Sequence, residues 1–253
     1  LYSVIPSNGT GDCTVVRNTT STEINSSGLI ENVAANVARL QYLTVGGNPF
    51  LLVEPQRSNF IKFSNTITDS FWNAGATNVT RAVAPTSPHL TEPAYRLTST
   101  TSTTFSRISA ATGDIGSGVN NVATRVYLRA DVPFTASLRR RAASTQIALI
   151  DIDVTTIWQP FEILTSTSGI NHDIHILLNS SGLAGNSVIG RTLDVFNVQM
   201  EEGLKNTSDI FTDSAVTTRN QDVITRTPPT GTVKIITTFF DDTTQVLTTI
   251  PAT

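Results

Sequence analysis

The sequence is poor in charge, in lysine, in cysteine and in aromatic rings. Charged residues make up 15% of its 253 positions, where an average globular domain has about a quarter. Lysine occurs only as Lys62, Lys205 and Lys234, the rest of the 17 basic residues being arginine, and the net charge is −3. A chain with no global positive field cannot gather a polyanion by long-range attraction, so general nucleic-acid binding is not expected. Low charge with 39% hydrophobic residues also excludes the highly charged type of disorder. Cys13 stands alone, which excludes an intramolecular disulfide and an all-cysteine zinc site, and it reads as an inert thiol. No apolar run approaches the roughly 18 residues that a membrane-spanning helix needs, so no membrane insertion is expected. The start, Leu1-Tyr2-Ser3, has neither Met nor a basic segment followed by an apolar one, and reads as a fragment or processed chain.

Helical periodicity is equally scarce. The best window is Leu29–Leu40, where Ile30, Val33, Ala34, Val37 and Leu40 fit an i, i+3, i+4 rule and predict one short helix. What the chain has instead is Ser, Thr and Asn, together roughly a third of it, distributed as short Val/Ile/Thr-rich runs between Gly, Asn, Ser and Pro clusters. Thr favours strands while Ser and Asn favour turns, so the pattern predicts many short strands. In 123–130, Thr124, Val126, Leu128 and Ala130 form one face and Arg125, Tyr127 and Arg129 the other. Further strands are expected over 145–153, 159–165, 173–179, 193–201 and 232–240. The spacing predicts an all-β fold, a two-sheet jelly-roll sandwich with an N-terminal β meander and a short C-terminal β extension. Glu54-Pro55 and the Thr227-Pro228-Pro229 run suggest divisions into a meander over 1–54, a sandwich over 55–226 and a hairpin over 227–253.

Four separated motifs extend this reading. Thr22-Glu23-Ile24-Asn25-Ser26-Ser27-Gly28-Leu29-Ile30-Glu31 is similar to T-x-x-N-x-x-G-L-I-E, and Asn36-Val37-Ala38-Arg39-Leu40-Gln41-Tyr42 to N-V-P-R-x-D-Y, with departures at Ala38 and Gln41. Leu51-Leu52-Val53-Glu54-Pro55-Gln56-Arg57-Ser58-Asn59 resembles L-L-L-E-P-x-R-T-N. Gln199-Met200-Glu201-Glu202-Gly203, Thr207-Ser208-Asp209-Ile210 and Thr218-Arg219 resemble Q-L-E-x-G, T-S-x-I and T-R. In this order the motifs resemble a family of tailed-bacteriophage virion proteins, of tail, fibre or head-fibre type, in which a meander precedes a lectin-like, carbohydrate-binding-module jelly roll. The resemblance implies a non-enzymatic structural protein of the phage particle, displayed and binding host cell-surface polysaccharide. Its implied partners are other virion proteins and copies of itself, as a trimer. The alternative is a capsid decoration or cement protein that binds no sugar.

Sugar sites of jelly rolls use accessible aromatic rings helped by polar side chains. The residues nominated are Trp72, Tyr127 and Trp158 as rings, with Arg125 and Arg129 beside Tyr127; Phe71, Tyr95 and Phe105 are further candidates, and each ring is equally a candidate for the core. Phe71 and Trp72, if in a strand, would face opposite ways, one buried and one free. Arg139-Arg140-Arg141 is the densest basic spot, suited to carboxylates of an acidic polysaccharide or of a partner subunit, or simply a solvated strand end. His172 and His175 would point to opposite faces of a strand, too far apart in direction to share zinc. No cofactor is expected beyond the structural calcium that many carbohydrate-module jelly rolls hold, for which Asp194 is the named ligand. Asp151 and Asp153 share a strand face, a commonplace pattern that falls short of a glycosidase pair. No serine elbow, phosphate loop or zinc-helix motif is present, so no catalytic residue is assigned.

Overall fold

The computed structural model describes residues 14–75, 78–111, 121–142, 145–166, 172–179, 187–225, 234–238 and 244–248. Cys13 and the Thr227-Pro228-Pro229 run lie outside these. The N-terminal part contains β1 (Thr14–Val16), β2 (Ser21–Ile24), β3 (Ile30–Val33), β4 (Arg39–Gln41), β5 (Phe50–Leu52) and β6 (Arg57–Asn59). A short 3-10 helix over Ser70–Gly75 precedes the sandwich strands β7 (Val79–Val83), β8 (Tyr95–Ser99), β9 (Arg107–Ala111), β10 (Val122–Arg129), β11 (Phe134–Ala142), β12 (Thr145–Val154), β13 (Gln159–Thr165), β14 (His172–Leu177) and β15 (Thr192–Glu202). Then come β16 (Thr217–Arg219) and β17 (Val223–Thr225), and a C-terminal antiparallel pair, β18 (Lys234–Thr238) with β19 (Thr244–Thr248).

Two antiparallel sheets form the sandwich, one ordered β13-β10-β15-β8-β7 and the other β12-β11-β14-β9. From β8 to β15 the chain alternates between the sheets except at the β11–β12 hairpin, and this gives the jelly roll. The alternating faces read from the sequence are those that form. Val126 and Leu128 of β10, Ala136 and Leu138 of β11, and Ile174 and Ile176 of β14 meet in one buried core with Leu97, Ile108 and Leu193. Burying each of the Val, Leu and Ile side chains contributes on the order of 1.5–3 kcal/mol.

The alternation slips once, and the slip matters. Along β15 the core residues are Leu193 and Val195, then Val198 and Met200, a jump of three where the pleat demands two. The register against β10 shifts at the same place, Tyr127 facing Phe196 while Arg125 faces Gln199. Two residues of β15 therefore oppose Val126 alone, a β-bulge. Asn197 sits in it with φ at 36°, a left-handed conformation that asparagine tolerates better than most residues.

The expected helix over Leu29–Leu40 does not form; β3, a turn and the start of β4 occupy the window. Ile30 and Val33 are buried there, but β3 pairs with β2 across the Asn25–Leu29 turn, where Gly28 takes φ 78° and the Asn25 Oδ1 accepts from the Ser27 and Leu29 amides. Asn36 at φ 61° breaks any helical continuation. An apolar spacing this short fits a strand followed by a turn as well as a helix, and pairing with β2 together with the left-handed Asn36 selects the strand.

The N-terminal segment is tied to the segment that follows β15, with β1 paired to β17 and β6 to β16. Beneath these pairs lies a buried ionic cluster to which the separated motifs contribute. Arg39 donates to Glu54 at 2.7 Å and to Asp222; Arg219 donates to Glu54; Arg17 reaches Asp222 at 2.8 Å. Ser208 donates to Glu54 from both its amide, at 2.8 Å, and its hydroxyl, at 2.7 Å. Burial raises the Glu54 carboxyl, but Arg219 and Arg39 more than offset this and bring it down to about 2. Gln199 Oε1 accepts from the Ile210 amide at 2.7 Å, and Glu201 takes both the Thr207 amide and hydroxyl at 2.6 Å. The motif spacings thus reflect a clasp between the meander, the last long strand and the chain's exit.

Candidate functional site

The bulge in β15 turns the Asn197 side chain toward Asp209. There Asp209 Oδ1 accepts from Asn197 at 2.7 Å and from Arg125 at 3.0 Å, while Oδ2 accepts the Tyr127 hydroxyl at 3.2 Å. The Arg125 guanidinium also lies over the Tyr127 ring, 5.2 Å from its centroid. Burial opposes the charge on Arg125, and the Asp209 carboxylate more than compensates, so its pKa is raised. Burial, assisted by Asp209, raises the Tyr127 hydroxyl and keeps it protonated as a donor. The outer face of the five-stranded sheet thereby carries a fixed polar floor at the position where the meander crosses it.

Above that floor is a groove of about 390 Å³. Arg125, Tyr127, Asn206 and Asp209 line one side, Glu23 and Gln41 the other, and Ile24, Leu43, Phe50, Leu52 and Val53 form an apolar lip. Leu43 is 66% exposed and Val53 52%, so the lip is open to solvent. A smaller hollow of about 300 Å³ lies on the other side of Asp209, walled by Thr19, Thr20, Ser21, Thr22, Thr217 and Thr218 among others. The groove combines the half-buried Phe50 ring, the buried Tyr127 ring and aliphatics with amides, carboxylates and a guanidinium at close range. That composition suits an uncharged polyhydroxylated ligand, whose apolar faces and hydroxyl edges need both kinds of surface.

Glu23 adds a titrating group. It stands directly opposite Glu31 in the β2–β3 register. Burial, and secondarily Glu31, raises the Glu23 carboxyl to about 7, although the Leu40 amide, donating at 2.6 Å, works the other way. Near neutral pH it is therefore partly protonated, able to donate as well as accept.

The structure separates the nominated residues. Arg125 and Tyr127 share the groove floor. Trp158 is half-buried, packs with the cluster of Tyr127, Phe196, Ile30 and Ala94, and donates to Thr86 Oγ1 at 3.3 Å. Trp72 is fully enclosed in the sandwich core, its indole donating to the Phe63 carbonyl at 2.9 Å, so the free ring expected there is absent. Its neighbour Phe71 is half-buried against Phe63 and the edge of Trp72. The segment is a 3-10 helix, and strand alternation does not apply to it. Tyr95 also packs on the core.

Arg129 lies elsewhere on the same face, in a row across three adjacent strands. Asp194 on β15 accepts from Arg129 at 2.7 Å and from Arg96 on β8 at 2.6 and 2.9 Å. Asp194 is fully buried between these two guanidinium groups. Both carboxylate oxygens of Asp194, the residue expected to bind calcium, face cations, an arrangement electrostatically the reverse of a metal site. Among the described residues no group of three or more His, Cys, Asp or Glu side chains could hold a metal ion.

Arg139, Arg140 and Arg141 do not act as one basic spot. Arg140 points into the core, where it is fully buried and donates to Thr124 Oγ1 and to His172 Nδ1, the latter at 2.9 Å. Arg139 and Arg141 face outward with His175, which confirms the opposite orientations expected of the two histidines. Asp151 and Asp153 accept hydroxyls from Ser137 and Thr135 at 2.6 and 2.7 Å on this outer face.

Sequence reasoning missed Glu23, Gln41, Asn206 and Asp209 as groove residues. All but Asn206 fall inside the quoted motifs, so the convergence of separated motifs was a usable signal. Which members of a motif close the clasp and which face the groove depends on the meander's path, and only coordinates supply that.

No protein-family model matches the chain, and no curated protein sequence matches it. Among solved structures, the enzymatically active domain of tailspike protein 4 from bacteriophage CBA120 is similar at 14% identity and a TM-score of 0.42, over 56% of this chain and 21% of that one. The chain thus spans about a fifth of the tailspike fragment's length. The CBM22-1 xylan-binding domain from Paenibacillus barcinonensis Xyn10C is similar at 12% identity and a TM-score of 0.41, over 58% and 94% of the two chains. A CBM4 structure is similar at 11% identity and a TM-score of 0.40, over 51% and 94%.

Proposed function

We propose that this chain is a non-catalytic glycan-binding component of a tailed-phage particle, displayed on a fibre or tail and holding host surface polysaccharide in the groove between meander and sandwich. The observation that carries the binding role is the groove itself, in which an exposed apolar lip faces the Asp209-anchored floor of Arg125, Tyr127 and Asn206. The virion assignment rests on the four ordered motifs, and their convergence on a buried clasp supports them as parts of one architectural unit. Phe50 and Leu43 would lie against a pyranose face, with Asn206 and Glu23 meeting ring hydroxyls. Binding would need no metal or organic cofactor. Assembly as a trimer with copies of itself and with other virion proteins is part of the same proposal, as is its location on the extracellular phage particle.

The test is binding of the purified chain to host cells and to polysaccharide extracted from them, with Phe50→Ala and Asn206→Ala as groove variants. Each variant is expected to weaken binding about tenfold, or about 1.4 kcal/mol, with no release of reducing ends by any form. Absence of binding together with particle disruption on removing the protein would instead favour the cement role. Antibody labelling of intact particles then separates a tail or fibre location from the capsid surface.

A further inference from the structure

The outer face of the four-stranded sheet carries a cluster of cations that the groove does not use. Arg139 on β11 and Arg107 on β9 flank His175 on the intervening strand β14. Both turn toward the same ring nitrogen, Arg139 Nη2 lying 2.8 Å and Arg107 Nη1 3.4 Å from His175 Nδ1. A guanidinium can only donate, so Nδ1 is the acceptor and the imidazole is neutral. Burial first, then Arg139, Arg107 and Arg141, hold its pKa down at about 3. The two guanidinium groups also share the Phe105 ring, their Cζ atoms 5.7 and 6.0 Å from its centroid. Rotamers of two long side chains are thereby fixed by a histidine and an aromatic ring, neither of which neutralises them.

Among the described residues neither Arg107 nor Arg139 has a carboxylate partner, and Arg107 Nη2 and Arg139 Nη1 have no protein acceptor. This contrasts with Arg17, Arg39, Arg96, Arg125, Arg129 and Arg219, each of which is paired with Asp or Glu. The nearby acids are otherwise placed. Asp173 stands opposite Arg141 in the register, and Asp151 takes the Ser137 hydroxyl. Holding two like charges this close in a protein of net charge −3 costs stability unless an anion is there to be met.

We propose that Arg107 and Arg139, set by His175 and Phe105, form a second binding site that takes the carboxylate of a uronic-acid residue in an acidic polysaccharide. The planar fork of a guanidinium matches a carboxylate through paired N–H donors, and the adjacent ring and the Ser109 hydroxyl on β9 suit the body of a sugar. A protein partner is disfavoured because none of the exposed large hydrophobic residues lies on β9, β11 or β14, whereas a subunit interface needs an apolar centre. The site lies on the opposite face of the sandwich from the groove and does not depend on it.

The test is affinity electrophoresis of the full chain in polygalacturonate, with dextran as the neutral control and dextran sulfate as a non-carboxylate polyanion. Retardation is expected in polygalacturonate and to be weaker in dextran sulfate, with at least tenfold weaker binding for Arg107→Gln/Arg139→Gln. Arg139→Lys, which keeps the charge and loses the fork, should weaken binding at least threefold with an unchanged thermal midpoint, and it serves as the folded control. The groove variant Phe50→Ala should leave polygalacturonate retardation as it is. No retardation of the intact chain, retardation that survives in both arginine variants, or equal binding of dextran sulfate would overturn the assignment. So would a dimer by light scattering that the arginine variants dissociate, since the patch would then be a contact between copies.

Discussion

Replacing Glu54 by glutamine removes the negative charge shared by Arg39 and Arg219 and turns one of the two oxygens that accept from Arg39, Arg219 and Ser208 into a donor, while keeping the side chain's size. Removing one partner of a buried ion pair costs on the order of 3–5 kcal/mol, because the remaining charge stays buried and uncompensated. The pKa gives an independent figure. The carboxyl falls from 4.5 to about 2 on folding, and at about 1.4 kcal/mol per pH unit this corresponds to roughly 3 kcal/mol. A folded-state value below the unfolded one means stabilisation fully present above pH 4.5 and lost as pH falls toward 2. The assay is urea unfolding followed by fluorescence of the buried Trp72, for both forms at pH 7 and at steps down to pH 2. Glu54→Gln should be less stable by about 3 kcal/mol or more at pH 7, and its stability should decline less steeply than that of the parent between pH 4.5 and 2. A loss below about 1 kcal/mol, the range of an exposed ion pair, or an unchanged acid slope would refute the clasp.

Glu23 predicts the opposite sign. Its carboxyl is raised to about 7, so its contribution is present below pH 4.5 and is lost as pH rises through 7; Glu23→Gln should flatten the parent's decline over that window in the same urea titration. Trp72→Ala should cost about 3–5 kcal/mol in chemical unfolding, as for other large-to-small core changes, and should leave glycan affinity of the folded fraction unaltered. Because Asp194 is held by Arg96 and Arg129, adding calcium or a chelator should leave the thermal midpoint unchanged, whereas Asp194→Asn should lower it.

Much of the sandwich was legible because its strands are half of one core and obey a period of two. Val126 and Leu128 on one face of β10, with Arg125 and Tyr127 on the other, needed only alternation to be placed. The pattern failed where backbone geometry departs from a plain strand. Phe71-Trp72 lies in a 3-10 helix, and an apolar spacing in 29–40 that fits a helix is satisfied by β3 and a turn at Asn36. The groove was half visible. Arg125 and Tyr127 followed from a strand face, but Asp209, which fixes both, lies over 80 residues later and reaches them through the Asn197 bulge. The jump from Val195 to Val198 in the core pattern is the trace such a bulge leaves in a sequence. Asp194 reads as an ordinary surface carboxylate or a calcium ligand until β8 and β10 are known to bring two arginines beside it.

Hydrogen–deuterium exchange of the chain with and without saturating host polysaccharide tests the groove most directly. Slowed exchange over 41–53 and 206–209, absent in Phe50→Ala at the same polysaccharide concentration, is the predicted result. Bound polysaccharide that leaves both segments unchanged would contradict it.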